Sequence, residues 1–328
     1  MRVGFNPFKD QPQDPSEYIH QIIIPVFIPS HEGYFANSLQ ILKLCLKSLF
    51  ATTHSKTFIT IVNNGSDAIV VDYLDSLFQD RKIHELIHTA NIGKLNAILK
   101  GLAGNNIELV TIADSDVLFL SNWQQATDEV FKTIPKAGVV GVVPQYKTFM
   151  TRCENILWEK WYDTDLKFLP IKNPKALEHF YKSVGWHDWK PEFQNIALGY
   201  EAHSGLKVYL GSGHFVATYK KDMFNEIVTY IGFKMGGLSE DYLDQCPLKK
   251  DYWRLTTYDN FAYHMGNVYE VWMDQIEYSY DQTYQFSSNF PTYPTISRAE
   301  YLFKSKFLKM IFKSVKVRRL FFRYKKMQ

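Results

Sequence analysis

Asp114-Ser115-Asp116 follows directly on the apolar run Leu109–Ala113, so two carboxylates one residue apart close what reads as a buried strand. In a strand-ending turn both can face one hard cation. Mg²⁺ or Mn²⁺ bound this way keeps coordination positions open for diphosphate oxygens. A solvated loop with two acids has the same composition, and the position after an apolar strand is what favours the metal reading. A second acid pair, Glu240-Asp241, follows Gly236-Gly237-Leu238-Ser239. Either Ser239 caps a helix running from Glu240, whose acids suit its positive end, or a carboxylate there takes the proton of an attacking hydroxyl. His264 lies 23 positions after Asp241 and acquires meaning only with a partner site.

The elements that must position these residues read as an alternation. Ile22–Ile28 is a buried strand closed by Pro29, and Phe35, Leu39, Leu42, Leu46 and Leu49 recur at helical spacing over about 35–52. Thr57–Val62 is β-rich and ends at the turn signal Asn63-Asn64-Gly65. Helix over Ile69–Phe78, strand over Ile83–His88, helix over Ile92–Leu102 and strand over Glu108–Ala113 follow. The spacing predicts an α/β fold with a Rossmann-like, mostly parallel central sheet flanked by helices. In such sheets ligands bind at the carboxyl ends of the strands. The loops 29–33, 63–66, 91–94 and 114–116 all fall there. The second half is less regular: a strand over 137–143, helices over 153–163 and 174–183, and a β segment over Lys207–Thr218 with a Gly211-Ser212-Gly213 turn. A helix is expected from about 220, and Trp186–His203 carries too many turn residues to assign.

Composition bounds the class. The 328 residues are 46% hydrophobic and 22% charged, which excludes a largely disordered chain. Aromatics at 16% suit clefts that stack planar groups, or an aromatic-rich core. Three scattered cysteines are too few for a disulfide framework or a Cys-rich zinc site and point to a reducing compartment. No run reaches the ~18 apolar residues of a membrane-spanning helix, and Met1–Pro12 lacks the features of a signal peptide; a cytoplasmic location is expected. The net charge of +3 hides an asymmetry, because Arg298–Gln328 carries eleven Lys/Arg against Glu300 alone and the remainder is net acidic by seven charges.

Six segments together resemble the motifs of family 2 glycosyltransferases of the GT-A fold, in their order. Ile24–Ser30 is similar to the opening strand and proline loop, and Ile61–Ser66 to the second strand and base-recognition turn. Asn91–Ala97 followed by Gly101 resembles the third motif, and Ile112–Asp116 the metal motif; Glu240-Asp241 and His264 match the distal acids and a further metal ligand. The resemblance implies that Pro29, Ser30, Glu32, Asn63 and Asn64 flank base and ribose, while Asn91 and Lys94 reach the nucleotide. It implies that Asp116 and His264 ligate Mn²⁺ or Mg²⁺, with Asp114 on the metal or ribose and Ser115 beside it. Asp241 is then the general base and Glu240 orients the acceptor, in a single displacement with inversion. The family's two base-binding acids are replaced here by Asn63-Asn64. An amide both donates and accepts, so a UDP-sugar remains the favoured donor.

On this reading residues 1–120 form the nucleotide-sugar-binding half and 121–295 the acceptor-binding half of one domain. Residues 296–328 are a basic amphipathic tail. Leu302, Phe303, Phe307, Met310, Ile311 and Val315 lie along one helical stripe of that tail. Three uses are open: an anionic membrane interface, packing on the domain, or nucleic acid, which no accompanying motif supports. Membrane contact fits a lipid-linked glycan acceptor met at the inner face of the membrane in surface polysaccharide assembly. Two other functions stand beside the transferase: a catalytically silent sugar-nucleotide or glycan binder, which has no need of Glu240-Asp241 and His264, and a nucleotidyltransferase. The second is disfavoured because the loop Pro29–Gly33 carries no Lys or Arg.

Overall fold

The computed structural model describes residues 4–6, 8–146, 148–186, 193–226 and 228–326, with the backbone alone for 237–239. The first half alternates as expected: β1 His20–Val26, α1 Ser38–Thr52, β2 Thr57–Asn64, α2 Ala68–Gln79, β3 Glu85–Thr89, α3 Lys94–Leu102 and β4 Leu109–Ala113. A short strand β5 Val117–Phe119, helix α4 Trp123–Thr133 and strand β6 Ala137–Gly141 follow. Then come α5 Glu154–Lys160, β7 Leu166–Pro170, α6 Pro174–Ser183, β8 Ile196–Glu201, β9 Lys207–Leu210 and β10 Val216–Lys220. The chain continues through α7 Gly237–Lys249, β11 Trp253–Thr257 and β12 Ala262–His264 to the tail helices α8 Arg298–Leu302, α9 Leu308–Lys313 and α10 Val315–Tyr324.

Ten strands form one sheet in the order β3-β2-β1-β4-β10-β6-β11-β9-β8-β7. Strands β1 to β4 pair in parallel, β6 pairs in parallel with β11, and β10, β9 and β7 run against their neighbours. Successive side chains of a strand face opposite sides, and β1 uses both. Ile22, Ile24 and Val26 pack with Ile41, Leu42 and Leu49 of α1 on one face. Ile23 packs with Leu95 and Ile98 of α3 and Leu243 of α7 on the other. A strand buried on both faces reads as an unbroken apolar run, which is why Ile22-Ile23-Ile24 was legible.

Three elements depart from the sequence reading. Helix α1 starts at Ser38, preceded by a 3-10 turn Gly33–Phe35; the side-chain oxygen of Asn37 at its cap accepts the Tyr269 N–H at 3.2 Å instead of capping the helix. The helix expected from 220 is a single turn Lys221–Phe224, because β10 runs on to Lys220, whose buried amine donates to Pro135 O and Pro291 O. The cap expected at Ser239 is also displaced. Helix α7 begins three residues earlier, with Gly236 at its N-cap in a positive-φ conformation (φ 103°) and no side-chain cap. The unassigned stretch 186–203 contains β8, and its residues 187–192 lie outside those described.

Helix α8 runs through a π turn, Phe303–Phe307, into α9. The tail packs on the domain through Lys304, Ser305, Leu308 and Phe321, not through the apolar stripe read from the sequence. Lys304 is drawn in by Asp251 at 2.7 Å and Glu300 at 2.8 Å, and that pairing selects the buried face. Cys45, Cys153 and Cys246 are free and buried. No helix among the described residues is long and apolar enough to cross a membrane.

Candidate active site

The loops leaving β1, β2 and β4, and the start of α3, gather at the carboxyl edge of the parallel strands, where such folds bind ligands. Pro29, Ser30 and Glu32 are exposed on the β1 loop, as is Asn91 before α3. Asn63 and Asn64 are buried and spent within the protein. Asn63 Oδ1 accepts the Ser66 N–H at 3.0 Å and its amide nitrogen meets His88 Nδ1 at 3.0 Å, while Asn64 Oδ1 accepts the Ile92 N–H at 2.9 Å. Carboxylates buried here would cost more than neutral amides, which accounts physically for the Asn-Asn pair. Gly93 takes φ 89°, and a Cβ there would lie 2.9 Å from Phe233 O. That close approach lets the Lys94 N–H donate to Lys234 O at 2.8 Å and sets Lys94 at the mouth of the site.

Lys94 Nζ lies 2.5 Å from Asp114 Oδ1 and 3.5 Å from Glu240 Oε1, so one amine joins the end of β4 to the start of α7. Asp114 therefore faces Lys94. Ser115 is half-buried between the two acids. Asp116 turns the other way, towards His264. A two-stranded antiparallel ribbon of β5 and β12 sets Val117 opposite His264, and the Met265 N–H donates to Asp116 O at 2.9 Å. His264 Nε2 then lies 3.4 Å from Asp116 Oδ2, with Nδ1 held at 2.9 Å by Ser183 Oγ. Burial pushes Asp116 up to about 6, against the pull of His264. Its Oδ1 is buried with no protein partner. A carboxylate oxygen left in that state beside an oriented imidazole fits a cation site. Among the described residues no third His, Cys, Asp or Glu completes a cluster with them. Mg²⁺-type sites commonly need only one or two protein side chains, the rest coming from phosphate and water.

The second acid pair has different company. The hydrogen bond from His214, Nε2 to Oε2 at 2.9 Å, holds Glu240 down at about 2, although burial works the other way. Burial also disfavours the charged imidazole of His214, yet Asp244 and Glu240 raise it to about 9. Asp244 is itself paired with Arg254 at 2.6 Å, and Arg254 donates to Ser212 O at 2.6 Å. Asp241 is gripped by Arg152 and Gln245, and Gln245 accepts a hydrogen bond from Tyr301 of the tail at 2.9 Å. A cleft of about 970 Å³ opens beside His214 and Asp244, walled by Phe180, Tyr181 and Trp186. The Tyr181 and Trp186 rings stack at 6.0 Å.

His214, Asp244, Arg254, Arg152, Gln245 and Ser183 were not read as site residues from the sequence. Two left a signal. Asp244 and Gln245 stand four residues after Glu240 and Asp241, one helical turn on the same faces. His214 follows the Gly211-Ser212-Gly213 turn. Arg152 and Arg254 left none, since their partners are remote in sequence.

A helix-covered, largely parallel sheet with loops and acids gathered at its carboxyl edge is the arrangement of an α/β fold that binds its ligand at the strand ends. Residues 26–183, just under half of the chain, match the family model described as glycosyl transferase family 2. Similar solved structures include the mannosyltransferase PcManGT from Pyrobaculum calidifontis in complex with GDP-Man and Mn²⁺. It is 14% identical with a TM-score of 0.44, and the match covers 78% of this chain and 61% of that one. Residues 1–349 of S. aureus TarS in complex with UDP-GlcNAc are 11% identical with a TM-score of 0.43, over 76% of this chain and 61% of that one. The chain thus spans about three-fifths of the length of these structures. No curated protein matches it in sequence.

Proposed function

We propose that this chain is an inverting glycosyltransferase, moving a sugar from a nucleoside-diphosphate donor, with a UDP-sugar favoured, to a glycan or lipid-linked glycan in surface polysaccharide synthesis. One observation carries the reading: Lys94 bridges Asp114 and Glu240, which ties the acid turn at the end of β4 to the acid pair at the start of α7. Pro29, Ser30, Glu32 and Asn91 border the base and ribose, with Asn63 and Asn64 holding the turn behind them through their internal hydrogen bonds, and Lys94 offsets phosphate charge. Asp116 and His264 would hold Mn²⁺ or Mg²⁺, whose charge would stabilise the diphosphate as it departs. Ser115 and Asp114 stand beside the donor, Asp114 paired with Lys94.

The acceptor enters from the cleft by Trp186 and displaces Arg152 from Asp241. Its hydroxyl oxygen forms a bond to the anomeric carbon as the bond from that carbon to the diphosphate oxygen breaks, and the hydroxyl proton passes to Asp241. Attack and departure on opposite faces invert the configuration. Glu240, ionised by His214, orients the acceptor. The acceptor is met at the inner face of the membrane, which makes the chain a cytoplasmic protein held peripherally through its basic tail.

A thermal-shift screen of UDP-, GDP- and dTDP-sugars, each with and without Mn²⁺, tests this. The expected result is stabilisation by UDP-sugar only with the metal, of roughly 2.7 kcal/mol at a hundredfold excess over Kd. A flat response to every nucleotide sugar in Mn²⁺ would end the reading.

A further inference from the structure

We propose that the outer face of the tail helices, together with α5, is a docking surface for an anionic phospholipid bilayer. It rests on the peripheral membrane contact proposed above and assigns that contact to a surface built from two parts of the chain. The tail packs on the domain and still leaves its apolar stripe outside. Phe303, Phe307 and Val315 are exposed, with Met310 at 62% and Leu320 at 66%. The domain contributes Trp158 and Trp161, each about half exposed. Their rings join the tail's into one surface: Trp158 meets Phe303 at 5.5 Å, Phe303 stacks on Phe307 at 5.4 Å, and Trp161 lies 6.0 Å from Tyr324. Between α5 and the tail helices runs a groove of about 430 Å³ whose lining side chains are all aliphatic or aromatic.

Charge decides the occupant. The tail carries eleven Lys/Arg and one acid, and among the described residues Lys304 is the tail cation within 4 Å of a domain carboxylate. Lys306, Lys313, Lys316, Arg319 and Arg323 are exposed on the helices that carry the stripe. A second copy of this face would bring cation against cation, whereas anionic headgroups would complement it. Tryptophan and tyrosine beside Lys and Arg suit the boundary between headgroups and acyl chains. The location also serves the acceptor. Thr148 lines the acceptor cleft, while Phe149 and Met150 in the same turn line a cavity against α9 and α10. The tail helices that carry this surface are therefore one turn of chain from the cleft.

The test is co-sedimentation of the full chain with phosphatidylcholine vesicles and with vesicles also containing phosphatidylglycerol. Binding is expected to the anionic vesicles only, weakened by salt. The double substitution Trp158→Ala with Trp161→Ala is expected to weaken it about tenfold, and Lys316→Gln or Arg319→Gln about fivefold each. Metal-dependent hydrolysis of UDP-sugar, in the same preparations, is expected to be unchanged by all of these variants, which also reports that they fold. Equal binding to neutral vesicles overturns the proposal, as does wild-type binding by the tryptophan variant. Self-association or oligonucleotide binding in place of vesicle binding overturns it too. Vesicle binding without hydrolysis leaves the docking surface standing and removes the transferase; hydrolysis without vesicle binding does the reverse.

Discussion

Two turns in this molecule each carry a pair of neighbouring acids, and the fold treats them in opposite ways. Asp114 and Asp116 end β4, where one acid is taken by Lys94 and the other is pushed up to about 6 by burial beside His264. Glu240 and Asp241 open α7, where His214 and Lys94 pair with the first and Arg152 and Gln245 with the second, and Glu240 is lowered to about 2. The chemistry of the side chains is the same. The difference lies in what the fold brings to them: an oxygen with no protein partner in one turn, and a surplus of cations in the other. A site with an unsatisfied oxygen is suited to gain a cation, and a site already crowded with cations is suited to keep carboxylates ionised. In the proposed function, donor and acceptor roles separate along that line.

The comparison breaks or sharpens at three points. Asp241→Asn is expected to cost the most, lowering the rate of transfer about a thousandfold while donor binding in Mn²⁺ is unchanged; kcat for transfer and calorimetric donor affinity are the measurements. If transfer survives, the α7 turn is not the proton acceptor and the two turns are not divided as argued. Asp116→Ala comes next. It should weaken Mn²⁺-dependent donor binding about a hundredfold, because the metal pair is reduced to His264 alone. Unchanged metal-dependent binding would take the cation away from the β4 turn.

The smallest effect is on stability. His214 is raised from 6.5 to about 9, so its contribution is complete below pH 6.5 and is lost as pH rises through 9. Glu240 is lowered from 4.5 to about 2, so its contribution is present above pH 4.5 and is lost as pH falls through 2. His214→Gln should therefore destabilise by about 1 kcal/mol between those limits, after solvent screening, and the deficit should fade on either side. Urea melts across pH read it directly. A deficit that does not vary with pH would mean that His214 acts by packing and not by charge.

Legibility followed locality. Strands β1, β2 and β4 and their loops could be read because an all-apolar run and the turn after it are properties of consecutive residues. The same holds for the Asp114–Asp116 turn, whose position at a strand end is set within a few residues. The start of α7 could not be read: a glycine with φ 103° begins it, where a serine two residues inside the helix looked like the cap. The tail shows the same limit. Its apolar periodicity was plain, but a π turn and the pull of Asp251 on Lys304 chose the face that packs.

What the sequence by itself determined is the parallel half of the sheet, the order of the motifs along it and the identity of the acids at its carboxyl edge. Tertiary structure alone decided their company. Asp116 met His264 only because β5 and β12 pair across the chain, and Asp241 met Arg152 only when α7 folded against the segment before α5. Hydrophobic periodicity repeats every few residues and survives in a linear string. The charges that set the state of a carboxylate act through space over a few ångströms, and no spacing in sequence records them.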